Sequence, residues 1–148
     1  MSGVGSAAST ALSGVLAAST RLDVAANNIA NAQDTGKLSA STQSPTSSAL
    51  TGVQSSNVAG QVYHALQATP KSLSSGGVAV SVTRSSKSGV AFSPDDPNAN
   101  SDGLVATPAI DEVTQITALT SATQDYKASA MMLKTANDMA KTLLNVFG

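Results

Sequence analysis

The chain has 148 residues, 8 basic and 9 acidic, for a net charge of −1 and no cysteine. No basic surface of the kind that binds nucleic acid is expected from that balance, and disulfides and thiolate metal sites are excluded. Aromatics make up only 3% and tryptophan is absent, so the side chains that usually dominate buried area are missing and a lone copy should be marginally stable.

Residues 3 to 32 lack proline and carry two charges, Arg21 and Asp23. Val4, Ala8, Ala11, Val15, Ala18, Leu22, Ala25 and Ile29 step alternately by four and three, the spacing of a heptad seam on one long helix. Leu12 and Leu16 widen the stripe. The N-terminus "MSGVGSAAST" has no basic region followed by an apolar run, so no cleaved signal peptide is expected. No stretch approaches the roughly 18 apolar residues of a membrane span.

The end of this helix, "VAANNIAN", is unusual. Asparagine is disfavoured inside helices because its side chain competes for backbone hydrogen bonds. Asn31 suits a C-terminal cap. Asn27 lies more than a turn inside, and the expectation is that it bonds to another helix, in its own chain or a neighbour's.

From about 33 to 60 the chain is polar, with Gly36, Pro45 and Gly52 as breakers, and reads as a long loop. "QVYHALQA" is compatible with a strand. "GVAVSVTR" alternates Val78, Val80 and Val82 with small or polar residues, a β pattern. After the turn "SSKSG", "VAFS" is expected to return as its partner, giving a β element of two or three strands. "SPDDPNANSDGLVATP" reads as a turn-rich connector. Thr107 as N-cap and Pro108 at the first helical position then announce a second long helix. Ile116, Leu119, Thr123, Tyr126, Ala130, Leu133, Asn137, Ala140, Leu144 and Phe147 form its seam.

The expected fold is mainly α, with two long terminal helices forming a coiled-coil-like pair around a small β-hairpin and a long loop. Residues 1–34 and 107–148 would form a discontinuous helical domain, with 35–106 as the insert. The pair should leave apolar faces uncovered.

Catalytic and ligand-binding patterns are weak. "GVGSAA" imitates a dinucleotide fingerprint but follows no strand. "NANSDG" opens like a calcium loop, yet the twelfth position counted from Asn98 is Ala109, where a bidentate Glu is needed. His64 is the only histidine and has no acidic neighbour in sequence. No nucleophile elbow occurs. No enzyme activity and no cofactor is expected.

"LDVAANNIANAQDTGKL" resembles the N-terminal signature of the flagellar axial family, the rod, hook and hook-associated proteins. Leu22, Ala26, Asn27, Asn28, Ile29, Ala30, Asn31 and Ala32 match it. Thr35 and Gly36 follow without the family's intervening proline, and Lys37 stands in place of its aromatic. Asp96, Pro97, Asn98, Ala99, Asn100, Asp102, Gly103, Val105 and Pro108, with Tyr126, Ala128, Leu133, Thr135, Ala136 and "KTLL", resemble the end of the proximal-rod branch, of FlgC type. The resemblance implies a subunit exported through the flagellar type III apparatus. It implies helical assembly in the periplasm, with copies of itself and other rod subunits, into a hollow torque-transmitting rod. Its interface would comprise Val15, Leu22, Asn27, Asn28, Ile29, Asn31, Ile116, Leu119, Tyr126, Leu133, Asn137, Leu144 and Phe147. Another axial component, or a free-standing coiled-coil adaptor, are the alternatives.

Overall fold

In the computed structural model, residues 2–38 and 61–147 are described. Helix α1 (Ser2–Ala30) is followed by strands β1 (Leu66–Ser72), β2 (Val78–Arg84), β3 (Ser88–Phe92) and β4 (Leu104–Pro108), and by helix α2 (Glu112–Phe147). The fold is mainly helical with a strand insert, as the heptad spacing implied. Residues 39–60 of the expected loop lie outside the described residues.

The two helices, of 29 and 36 residues, pack antiparallel. Arg21 pairs with Asp125, Asn28 with Gln115, and Gly14 opposes Ser129. Each member of the α1 seam from Val4 to Ile29 is buried or half-buried. A methyl group on Gly14 would come within 2.6 Å of the Ser129 hydroxyl, so glycine sets the closest approach of the pair.

On α2 the seam is rotated from the expected one. Ala122 and Ala136 are innermost, at 0% and 3% exposure. Leu119, Thr123, Ala130, Leu133 and Ala140 flank them half-buried, while Ile116, Tyr126, Asn137 and Leu144 face outward. Small side chains permit closer backbone approach, so the alanines win the interface and the large residues turn to its edges. The described apolar core is accordingly seven alanines and two valines, which bury few methylenes each. Interior area is therefore small for a chain of this length, and the fold stands near the marginal end of stability.

β1 and β2 form one antiparallel hairpin, from Leu66 opposite Arg84 to Ser72 opposite Val78. Its turn uses Gly76 and Gly77 at φ 88° and 92°, a left-handed region that glycine enters freely. β3 and β4 form a second hairpin, with Ser88 opposite Pro108 and Phe92 opposite Leu104. "VAF" therefore pairs forward with "LVATP" and not back with "VAVSV". The segment expected to begin the second helix is a strand instead. Pro108 lacks an N–H but lies on an edge strand of a two-stranded sheet, where proline is tolerated. The helix starts at Glu112, and Asp111 is its N-cap: a carboxylate oxygen accepts the Val113 N–H at 3.1 Å. "QVYHALQA" contributes only its end to a strand, since β1 begins at Leu66.

Candidate assembly surface

The first hairpin lies along α1. Near its turn, the Val78 N–H donates to the Ser13 hydroxyl at 3.1 Å. At its open end, Leu66 is held by Asn28. Fifteen residues of helix separate Ser13 from Asn28, a rise of about 22 Å, and seven residues of β1 extend about 23 Å. The two rulers match, so one helix face can hold both ends of the hairpin. Ala17 and Val24, both buried, lie on α1 between these points.

Asn28 is the centre of the arrangement. It is 1% exposed and all four of its hydrogen-bonding positions are filled. Its amide donates to the Leu66 carbonyl at 2.8 Å and to Gln115 Oε1 at 2.9 Å. Its Oδ1 accepts the Leu66 N–H at 2.8 Å and the Tyr63 hydroxyl at 3.1 Å. An asparagine can do no more than this. One side chain thus ties α1 to β1, to the segment before it, and to α2. Burial raises the Tyr63 hydroxyl pKa above its usual value, with the Arg84 charge opposing. The neutral, donating form is the one the site favours.

Within the chain, Asn27 does not reach the second helix. Its amide donates to the Asp23 carbonyl of its own helix at 2.7 Å, not to another helix. The physical reason is angular: adjacent helical residues lie about 100° apart, and the inward direction falls on Asn28. Asn31 behaves as a cap, its amide bonding the Asn27 carbonyl at 2.7 Å.

The signature continues past the helix. Gly36 exchanges backbone hydrogen bonds with Ala106, at 2.9 and 2.8 Å, which adds a bridge to the β4 edge. A side chain at Gly36 would meet the Val62 backbone nitrogen at 2.3 Å. Asp34 accepts the Tyr63 N–H at 3.1 Å, and the Asn98 amide donates to the Thr35 carbonyl at 3.2 Å. "NANSDG" is a turn: Asn100 Oδ1 accepts the N–H groups of Asp102 and Leu104, both at 2.9 Å. The residues after α1 therefore lock the second hairpin to the helix end. His64 is exposed, and among the described residues no cluster of three metal-ligating side chains occurs.

The expected interface residues divide three ways. Val15, Leu22, Ile29, Leu119 and Leu133 are half-buried within the chain, and Asn28 is fully internal. Ile116, Tyr126 and Leu144 are exposed at 54%, 41% and 66%, and Asn137 is exposed as well. The Phe147 side chain lies outside the described residues. Sequence reasoning did not single out Tyr63 and Gln115, which complete the Asn28 network. It also passed over Met131, Met132 and Met139, exposed at 70%, 65% and 49%; their signal was large apolar residues lying off the seam.

Among the described residues the helix pair thus carries alanines inside and large apolar side chains outside. No described helix is long and apolar enough to cross a membrane. A family model described as "Flagella basal body rod protein" matches residues 9–36. A second, described as "Flagellar basal body rod FlgEFG protein C-terminal", matches residues 101–146. No curated protein matches. The two matches cover most of α1 with the Gly36 bridge, and β4 with nearly all of α2. These are the elements held together by Asn28, Gly36 and the helix seam, and such proteins are structural components of the flagellum, not enzymes. The chain belongs to the flagellar basal body rod family.

Proposed function

We propose that the chain is a proximal rod subunit of FlgC type. Its terminal helices would assemble helically, with copies of itself and with other rod subunits, into the hollow shaft that transmits torque from motor to hook. It would reach the periplasm through the flagellar type III export apparatus without a cleaved signal. The discontinuous helical unit of residues 1–34 and 107–148 would form the tube, and residues 35–106 would be carried on it. Of the interface expected from the seams, Ile116, Tyr126, Asn137 and Leu144 remain available to neighbours. Val15, Leu22, Ile29, Leu119 and Leu133 would contribute by their exposed edges, and Asn28 by holding the subunit's shape.

One observation carries this reading: the helix pair buries alanine and exposes Leu16, Met131, Leu144 and Val146 at 60–71%. Scattered exposed apolar residues are ordinary, but a concentration of them on one helix pair marks an interaction surface. The FlgEFG description of the C-terminal match also supports a second reading, another axial component of rod or hook type.

The test uses Leu144, whose exposure frees it from a role in folding the subunit. Leu144→Asp should leave export intact and stop rod completion, so that cells lose motility while the chain still leaves the cytoplasm. Normal motility would overturn the proposal. Labelling of isolated basal bodies separates the two readings, because a proximal subunit lies next to the motor end and a hook-type subunit does not.

A further inference from the structure

Two apolar features of the helix pair have no partner among the described residues. The first is an open groove of about 830 Å³ between the N-terminal half of α1 and the C-terminal half of α2. Its α1 wall is low, built from Ala7, Ala11 and Gly14, and its α2 wall carries Met131, Met132 and Met139. No charged residue lines it. The second is a ridge on α1, formed by Leu12 and Leu16, which are 48% and 60% exposed. The ridge points about half a turn round the helix from Ala7 and Gly14.

We propose that the groove receives the Leu12–Leu16 ridge of a second copy of this chain. The proposal rests on the reading of the chain as a helically assembling subunit and names the contact by which copies meet. Charge supports this occupant: from Gly3 to Thr20, α1 carries no ionisable side chain, so a charge-free ridge meets a charge-free groove and no ion is stranded on burial. Shape supports it as well. The two leucines stand about 6 Å apart along the helix, while Met132 and Met139 stand about 10 Å apart, with only small residues, Thr135 and Ala136, lining the groove between them. The low alanine and glycine wall admits a helix closely, and methionine adapts its flexible side chain to the knobs it meets.

Ridge and groove lie on different faces of one chain, so the contact is heterologous. A copy that offers its ridge leaves its own groove open to the next, which gives a ring or an open helical array and not a closed dimer. The five large side chains expose on the order of 500 Å², about a third of the ~1,600 Å² of a standard stable interface. The contact is therefore too small to hold two free copies together and acts when repeated along an assembly.

Because the chain has no cysteine, introduced thiols are the only ones it carries. Cells should carry two differently tagged copies, one with Leu16→Cys and one with Met132→Cys. Oxidised basal bodies should yield an adduct joining the two tags, several-fold above that obtained when Lys87→Cys replaces Leu16→Cys. An adduct no stronger than this control, with both chains present in the basal bodies, overturns the contact and leaves the rod reading standing. Absence of the wild-type chain from basal bodies overturns both. If the cysteine chains fail to incorporate, a charge pair decides. Leu16→Asp and Met132→Lys should each lower incorporation, and together recover it. No loss from either single change, or no recovery in the pair, overturns the proposal. The purified chain should sediment as a monomer at micromolar concentration, and a stable closed dimer would contradict the heterologous geometry.

Discussion

Replacing Asn28 by leucine keeps the branched outline of the side chain and removes all four of its hydrogen bonds. Tyr63 and Gln115 are side chains that can turn toward water. The Leu66 N–H and C=O cannot, because they belong to the first residue of β1 and face α1. Leaving a buried polar group unpaired costs about 1–3 kcal/mol, so two such groups cost about 2–6 kcal/mol. A buried leucine returns about 1.5–3 kcal/mol through its own transfer from water. Mid-range values, about 4 less about 2, leave a net expected loss of about 2 kcal/mol, a large share of the roughly 5–15 kcal/mol that holds a typical domain. The assay is urea unfolding followed by circular dichroism, with sucrose or TMAO present to favour the compact state. Asn27→Leu is the internal control, since the Asp23 carbonyl that its amide contacts already serves the helix ladder, and a change within about 0.5 kcal/mol is expected for it. The reasoning is refuted if the two variants unfold at the same urea concentration.

Alkaline pH should loosen the same site. The Tyr63 pKa is raised above the ordinary 10.0 by burial, with Arg84 opposing, so the folded state holds the proton longer than the unfolded chain. The stability it contributes is complete below pH 10 and is lost as pH rises through the folded value; Tyr63→Phe should remove this alkaline component from a pH series of melting curves. Asp111 behaves in the opposite sense. Its carboxyl is held below the ordinary 3.8, first by the hydrogen bond from the Thr114 hydroxyl, which outweighs an opposing desolvation, with the backbone N–H groups of Thr114 and Val113 adding less. Its contribution is present above that ordinary value and disappears as pH falls through the lowered one, so Asp111→Ala should reduce helicity at neutral pH and flatten the acid side of the profile. Gly36→Ala should destabilise by about 1–3 kcal/mol, the usual scale of overpacking, because its Cβ would meet the Val62 backbone at 2.3 Å; an unchanged urea midpoint would show that the two segments separate at no cost. In dilute solution the purified chain should show less helix than the 29 and 36 residues of α1 and α2, and gain it on assembly. A fully helical, cooperatively melting monomer would contradict the argument from its alanine core.

By itself, the sequence determined the two long helices and which face of α1 turns inward. A proline-free run with apolar residues at alternating steps of three and four has only one regular conformation that gathers them on a single side. It determined that Asn31 ends its helix, because capping depends on residues within one turn. It also determined that "VAVSV" is a strand, because alternation is a property of the segment. Tertiary structure alone decided which strand pairs with which, since a two-residue period fits any partner equally, and the strands β1 and β4 became strands by finding β2 and β3. Thr107 and Pro108 carry every local mark of a helix start. Local marks set only a weak preference, and pairing with β3 outweighed it, leaving the cap to Asp111. Likewise residue type does not separate Asn27 from Asn28 in "ANNIAN"; only their angle to the seam through Ala25 and Ile29 does. The two are identical in chemistry and differ by about 100° of helical rotation. What that rotation faces, the Leu66 backbone, Tyr63 and Gln115, is brought there from 35 to 87 residues away, by a hairpin and a second helix that the first helix cannot specify alone.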